Sequence, residues 1–122
     1  MKYMLMFCDD ENRDGPDPES EEGQAEMAAW YAYSEALVAA GVWVSGEALQ
    51  PTVTATVVRK EEGSTVTIDG PFAETKESFG GFEIIDVADL DEAISWAEKS
   101  PVHPHGLVEI RPIMELPADP GG

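Results

Sequence analysis

Charged side chains are concentrated around one turn in the middle of the chain. Asp69 ends a run of β-branched residues and is followed directly by Gly70 and Pro71. Proline fixes its own φ and disfavours helical angles at the preceding residue, and glycine can adopt angles that are closed to other residues. The sequence therefore predicts a rigid turn that holds the Asp69 carboxylate at the end of a strand. A carboxylate held in this way can act as a general acid or base.

The residues after this turn bring an apolar ring, a carboxylate and an ammonium close together. If residues 72–76 are extended, Phe72, Glu74 and Lys76 lie on one face, because side chains of a strand alternate with period two. Charges at this density must pair, meet solvent or meet a ligand. We therefore predict a cleft in which carboxylates act as acid and base and basic groups hold a polar substrate. The predicted site comprises the catalytic residues Asp69, Glu74 and Glu47 and the ligand-binding residues Lys76, Arg111, Phe72 and Gly81.

The same residues also have a purely structural interpretation. In that interpretation Asp69 caps its own turn, Glu74 pairs with Lys76, and Arg111 pairs with a buried acid. Ion-pair networks of this kind arise in proteins without any catalytic function. The sequence leaves both interpretations open.

Other chemistries have weaker support in the sequence. His103 and His105 lie in a late loop, where a solvated position is favoured over a metal site. Residues 10–21 match the spacing of a calcium loop, but a strand precedes them and prolines interrupt them, which disfavours calcium binding. Cys8 has no basic neighbour in sequence, which indicates an unreactive thiol. We predict neither a resident metal nor a cofactor.

Composition limits the classes of partner. The chain has 122 residues, of which 43% are hydrophobic, and we expect one domain over residues 1–116 with a tail at 117–122. Seven basic and 25 acidic residues give a net charge of −18, which disfavours nucleic acid and anionic membranes as partners. No apolar run approaches the ~20 residues of a membrane span. A single cysteine favours a cytoplasmic location.

Hydrophobic periodicity predicts six strands and two helices. Residues 20–41 and 89–100 have helical spacing, and Asp89 with Glu92 forms a capping-box pattern. Trp30 and Tyr31 on the first helix are more typical of a core or a dimer interface than of a ligand platform. The predicted strands are residues 2–7, 42–49, 54–59, 64–68, 82–87 and 107–116.

This order predicts an α+β fold, the ferredoxin-like split β-α-β arrangement with an inserted hairpin. Two helices on one face of the sheet leave its other face bare. A bare apolar face must be buried, and pairing two such faces produces a dimeric α+β barrel. We therefore expect a homodimer. The adjacent glycines Gly80 and Gly81 predict a bulge or a close approach of backbone to a partner.

The run DGPFAETKE at residues 69–77, followed by GGF at 80–82, resembles the signature of the DGPF proteins, a branch of the YciI-like (YCII-related) family. The segments GEAL at 46–49 and EIRP at 109–112 are also similar to family patterns. The resemblance extends from about residue 1 to 113 and implies the dimeric barrel. Relatives outside this branch have an early histidine paired with an aspartate. Here the only histidines are His103 and His105, so the resemblance does not carry that pair over.

The sequence is consistent with two functions. The first is binding, with or without transformation, of a small polar molecule in the cleft around Asp69. The second is a non-catalytic regulatory role, because the resemblance includes relatives that are encoded beside or fused to alternative sigma factors. An enzyme should bring several titratable groups to one enclosed pocket.

Overall fold

Six strands and two helices make up the computed structural model, which describes residues 1–12, 15–71 and 76–117. A short 3₁₀ turn at Thr52–Thr54 precedes the hairpin. The elements in chain order are β1 (Lys2–Asp9), α1 (Glu21–Ala39), β2 (Trp43–Ala48), β3 (Thr56–Glu61), β4 (Ser64–Asp69), β5 (Ser78–Asp86), α2 (Leu90–Glu98) and β6 (Leu107–Pro112).

The main sheet has four antiparallel strands in the order β2-β5-β1-β6, and β3 and β4 form a separate two-stranded sheet. In this order β5 lies between the two strands that α1 connects, and β1 lies between the two strands that α2 connects. That interleaving is the split β-α-β arrangement. The predicted α+β, ferredoxin-like fold with an inserted hairpin is therefore confirmed.

The core lies between the helices and one face of the sheet. Tyr3, Leu5 and Phe7 alternate along β1 and are buried, as period-two alternation requires. Tyr33 and Leu37 of α1 pack against them from above. Burying each such side chain stabilises the fold by about 1.5–3 kcal/mol. The remaining core residues are Val42, Ile85, Val87 and Ala93.

Helix α1 begins and ends where local signals predict. The Ser20 hydroxyl accepts a hydrogen bond from the Gly23 backbone N–H at 3.1 Å, which caps the first turn. Gly41 has a φ of +74°, a conformation that favours glycine and ends the helix. The apolar spacing also includes Met27 and Val38, but both are exposed. The apolar residues of α1 surround its whole circumference. Those that point away from the sheet, unlike Tyr33 and Leu37, therefore stay exposed.

Helix α2 has the predicted capping box. The Asp89 carboxylate accepts from the Glu92 N–H at 2.9 Å, and the Glu92 carboxylate accepts from the Ala88 N–H at 2.8 Å. Ala93 is fully buried, whereas Leu90 and Ile94 remain 48% and 37% exposed. The periodicity therefore predicts the position of the helix correctly. Leu90 and Ile94 share the apolar spacing of Ala93 but are not buried with it.

Two strand boundaries differ from the predicted ones by four residues. β5 begins four residues early, at Ser78, and pairs Phe7 with Gly81 but Cys8 with Phe79, so Gly80 forms the predicted bulge. β6 ends at Pro112 instead of residue 116. Its partner strand β1 begins at Lys2, whose carbonyl accepts from the Ile113 N–H at 2.8 Å.

The other face of the sheet has apolar side chains, and neither α1 nor α2 covers it. Met4 and Met6 of β1 alternate with the buried core residues and are only partly buried. Phe82 and Ile84 of β5 lie beside them in the antiparallel register. The predicted bare face is present, and the homodimer that would cover it stays a prediction. Among the described residues, no helix is long and apolar enough to span a membrane.

Candidate functional site

A cavity of about 810 Å³ lies between the first half of α1 and the ends of β1, β2 and β5. Its volume is within the range of small-molecule sites. Helix α1 presents one face to it, because Glu26, Trp30 and Ser34 recur every four residues. Strands β2 and β5 contribute their adjoining segments 46–48 and 80–83, and the loop before β6 contributes His103.

A buried carboxylate, that of Glu83, is part of the cavity wall. Only 8% of Glu83 is exposed, and it occupies the helix-facing side of β5 beside Leu5. The Ser34 hydroxyl donates to Glu83 Oε1 at 2.6 Å, and the Trp43 indole N–H donates to Glu83 Oε2 at 2.7 Å. Within residues 1–12, 15–71 and 76–117, no basic side chain forms an ion pair with Glu83. Two neutral donors therefore satisfy the carboxylate, and no side chain of opposite charge among the described residues balances it.

Gly46 makes room for this carboxylate. A Cβ at residue 46 would lie 2.1 Å from Glu83 Oε2 and 2.9 Å from the Phe82 carbonyl oxygen. Gly81 has a similar constraint, since a Cβ there would lie 3.0 Å from the Glu47 carbonyl oxygen. The glycines of the GEAL and GGF segments therefore let β2 and β5 approach closely around Glu83.

A second polar pair faces the same cavity. His103 Nε2 lies 2.5 Å from Glu26 Oε1, and both side chains are about two-thirds buried. The sequence favours a solvated position for both His103 and His105. In the structure the loop that holds them is only partly solvated. His105 is exposed, whereas His103 packs against α1.

Acidic groups dominate the polar lining. His103 is the one histidine, lysine or arginine side chain that lines the cavity in the described part of the chain. The described residues contain no group of three or more side chains that could hold a metal ion. The acidic lining residues are Asp9, Asp10, Glu11, Glu26, Glu47 and Glu83.

Two neutral groups near the cavity stay protonated. Burial is the largest cause that raises the pKa of the Cys8 thiol, and the Glu109 and Glu77 carboxylates raise it further. Burial, followed by the Glu83 carboxylate, raises the pKa of the Tyr33 phenol well above its usual range. The raised pKa of Cys8 agrees with the unreactive thiol that the sequence indicates.

The structure brings together two of the seven predicted site residues, Glu47 and Gly81, which both line the cavity. Asp69 lies at the end of the hairpin, where it is exposed and pairs with Thr56 outside the cavity lining. Lys76 is exposed and also lies outside this lining.

Arg111 is exposed on the bare face of the sheet, opposite Met4. Phe72 and Glu74 lie outside the described residues. The functional role of Asp69 and its neighbours therefore stays a prediction.

Sequence reasoning missed Glu83 and Glu26 and assigned His103 to a solvated loop. Glu83 had a detectable signal, because it shares the strand parity of Ile85 and so belongs to the core-facing side of β5. The pairing of His103 with Glu26 had none, because the two residues are 77 positions apart in the chain.

Comparison with known proteins identifies the family. The sequence model of the YCII-related domain matches residues 1–117. The chain belongs to the YCII-related family. This YCII-related protein is also 48% identical over 67 residues to an uncharacterized protein of Rhizobium meliloti (strain 1021). That match includes 53% of this chain and 54% of the relative, so it extends over about half the length of the curated relative.

Proposed function

We propose that this YCII-related protein binds a small polar molecule in the cavity between α1 and the sheet and transforms it by acid–base chemistry. One observation supports this proposal above others. A single cavity of about 810 Å³ is lined by both a buried carboxylate, Glu83, and a histidine–carboxylate pair, His103 and Glu26. Titratable groups that converge on one pocket are typical of an active site.

The His103–Glu26 pair supplies the proton-transfer chemistry. When His103 donates its Nε2–H to the Glu26 carboxylate, its Nδ1 is left as a proton acceptor. A ligand in the cavity would transfer a proton to Nδ1, and the Glu26 carboxylate would stabilise the resulting imidazolium. The same imidazolium can return the proton to the ligand at a second atom. Proton abstraction followed by reprotonation at a second atom of the ligand is an isomerisation, and this reaction class fits the pair.

We also infer two finer assignments. The DGPF motif at residues 69–72 supports membership in the DGPF branch of the family. The apolar side chains on the bare face of the sheet, among them Met4 and Ile84, support a homodimer in which two such faces cover each other.

The proposal is tested with metabolites and a matched pair of histidine variants. The purified protein is incubated with a desalted metabolite extract, and bound molecules are detected by native mass spectrometry. Turnover of the extract is followed by proton NMR. We expect a bound small molecule in the wild type and in both variants, and turnover that is lost in His103→Gln but kept in His105→Gln.

Ala48→Trp supplies the blocking control, because Ala48 lines the cavity and the larger side chain would fill part of it. We expect this variant to lose the bound molecule while keeping its circular dichroism spectrum. Binding that is unaffected by Ala48→Trp would contradict the location of the site, and equal turnover in the two histidine variants would contradict the role of His103.

A further inference from the structure

We propose that the cavity selects an organic cation, a primary ammonium on a flat apolar body, and that the Glu83 carboxylate is its counter-charge. This inference rests on the proposed function, because it assigns the chemical class of the molecule that the cavity binds. It concerns binding and does not depend on the proton-transfer role of His103.

The first argument is the unbalanced charge of Glu83. A buried carboxylate is normally paired with a cation, because removing it from water is costly. Glu83 is 8% exposed and has two neutral donors, Ser34 and Trp43, one on each oxygen. A carboxylate has about four acceptor positions, so each oxygen keeps the capacity for one further hydrogen bond. An ammonium in the cavity would occupy one of these acceptor positions and supply the opposite charge that no described side chain provides.

The second argument is the sign of the surrounding groups. Six acidic residues line the cavity together with a single histidine among the described residues. An anionic ligand would be repelled by these groups, whereas a cation would be attracted. At 0.15 M salt the Debye length is about 8 Å, so the local lining decides this preference and the remote charges of the chain do not.

The third argument is the aromatic wall. Trp30 and Phe7 both line the cavity and pack edge to face, with ring centroids 4.9 Å apart and an interplanar angle of 71°. Tyr33 contacts both rings, with centroids 6.1 Å away, and holds them in place. Aromatic faces bind flat apolar groups and also attract cations. The wall therefore fits the body of the ligand, while Glu83 fits its charged end.

Glu83 also has a structural role, because Ser34 and Trp43 belong to α1 and β2 and both donate to it. Glu83→Gln separates the two roles. The glutamine carbonyl oxygen can still accept from the Trp43 N–H, and its amide can donate to the Ser34 oxygen. The hydrogen bonds that link α1 and β2 to β5 are therefore kept while the negative charge is removed.

The test uses three probes of one shape that differ in charge: 2-phenylethylamine, 2-phenylethanol and 3-phenylpropionate. Their affinities are measured by tryptophan fluorescence and calorimetry at pH 7.5 and 0.15 M sodium chloride. We expect the wild type to bind the ammonium at least tenfold more tightly than the alcohol, and the carboxylate more weakly than either. Glu83→Gln should lose at least tenfold in ammonium affinity and keep its alcohol affinity. The matched control, Glu98→Gln on the exposed side of α2, should behave as the wild type.

Equal affinity of the wild type for the ammonium and the alcohol would overturn the proposal, and this comparison needs no variant to fold. Unchanged ammonium affinity in Glu83→Gln would overturn it as well. Preferential binding of the carboxylate that is lost in Ala48→Trp would overturn the cation assignment and leave the cavity as the ligand site. Failure of all three probes and of the metabolite extract to bind would remove the proposed function together with this inference.

Discussion

The Trp43 indole N–H donates to Glu83 Oε2 at 2.7 Å, so a side chain of the edge strand β2 holds a buried carboxylate of β5. Ser34 of α1 donates to the other oxygen at 2.6 Å. One carboxylate therefore ties two strands and a helix together while it contributes to the wall of the cavity. Fixing the carboxylate from both sides sets its direction toward a ligand before the ligand binds, which is the arrangement that favours selective binding.

The space at Gly46 is needed for this arrangement, and Gly46→Ala tests it. The added Cβ would lie 2.1 Å from Glu83 Oε2, so the carboxylate or the backbone of β2 must move. We expect the free energy of unfolding to fall by about 2 kcal/mol, as for other overpacked sites. Gly80→Ala is the matched control, because its Cβ would have no neighbour nearer than the Phe7 carbonyl oxygen at 3.9 Å. Denaturant unfolding that shows equal losses in both variants would contradict the packing around Glu83.

The buried phenol of Tyr33 should affect stability in two ways. Its hydroxyl donates to the Trp96 carbonyl at 2.7 Å, so Tyr33→Phe should lower the free energy of unfolding by about 1 kcal/mol at pH 7. Burial and Glu83 also raise the pKa of Tyr33, whereas an unfolded tyrosine ionises near pH 10.

The sign of the pH effect follows from this difference. The unfolded state releases the phenol proton above about pH 10 and the folded state keeps it, so the stabilisation that is present below pH 10 is lost as the pH rises. The wild type should therefore lose stability more steeply than Tyr33→Phe between about pH 9.5 and 11. Tyr31→Phe, at a residue that is 66% exposed, should match the wild type throughout. Parallel pH profiles for the wild type and Tyr33→Phe would contradict the raised pKa.

The bare face of the sheet predicts a homodimer. Light scattering should give about twice the chain mass of 13.2 kDa. Ile84→Glu places a charge on this face and should yield a folded monomer, because Ile84 alternates with the core residue Ile85 and points away from the helices. Val58→Glu on the exposed hairpin should leave the dimer intact. A monomeric wild type would rule out the barrel dimer.

The sequence prediction for Asp69 is tested by Asp69→Asn. Asp69 is exposed at the end of β4, so this change should alter the free energy of unfolding by no more than about 0.5 kcal/mol. If the DGPF turn contributes to the site, as the sequence predicts, the variant should bind the metabolite extract or 2-phenylethylamine more weakly at unchanged stability. Affinity equal to that of the wild type would confine the site to the cavity between α1 and the sheet.

Local signals explain why the fold was predictable. Ser20, Gly41 and Asp89 mark helix ends through contacts within four residues, and such contacts are visible in the sequence. The apolar run at residues 2–7 predicted β1 as a strand for the same reason. The ferredoxin-like order then followed from the sequence of elements, because few topologies accommodate it.

The candidate site was less predictable because its contacts are remote in sequence. Glu83 and its donors Ser34 and Trp43 are 49 and 40 residues apart, and His103 and Glu26 are 77 residues apart. The predicted site is centred on one turn, where charge density is high in the sequence, and also includes residues from other parts of the chain. Of these, Glu47 and Gly81 reach the cavity because β2 and β5 are neighbours in the sheet.

A crystal structure of the protein grown with 2-phenylethylamine tests the central claim most directly. We predict density for the probe in the cavity between α1 and the sheet, with the ammonium nitrogen about 2.8 Å from a Glu83 carboxylate oxygen. The phenyl ring should contact Trp30 and Phe7, the two aromatic side chains that pack edge to face in the wall. An empty cavity at saturating probe, or a probe whose ammonium lies away from Glu83, would contradict the account.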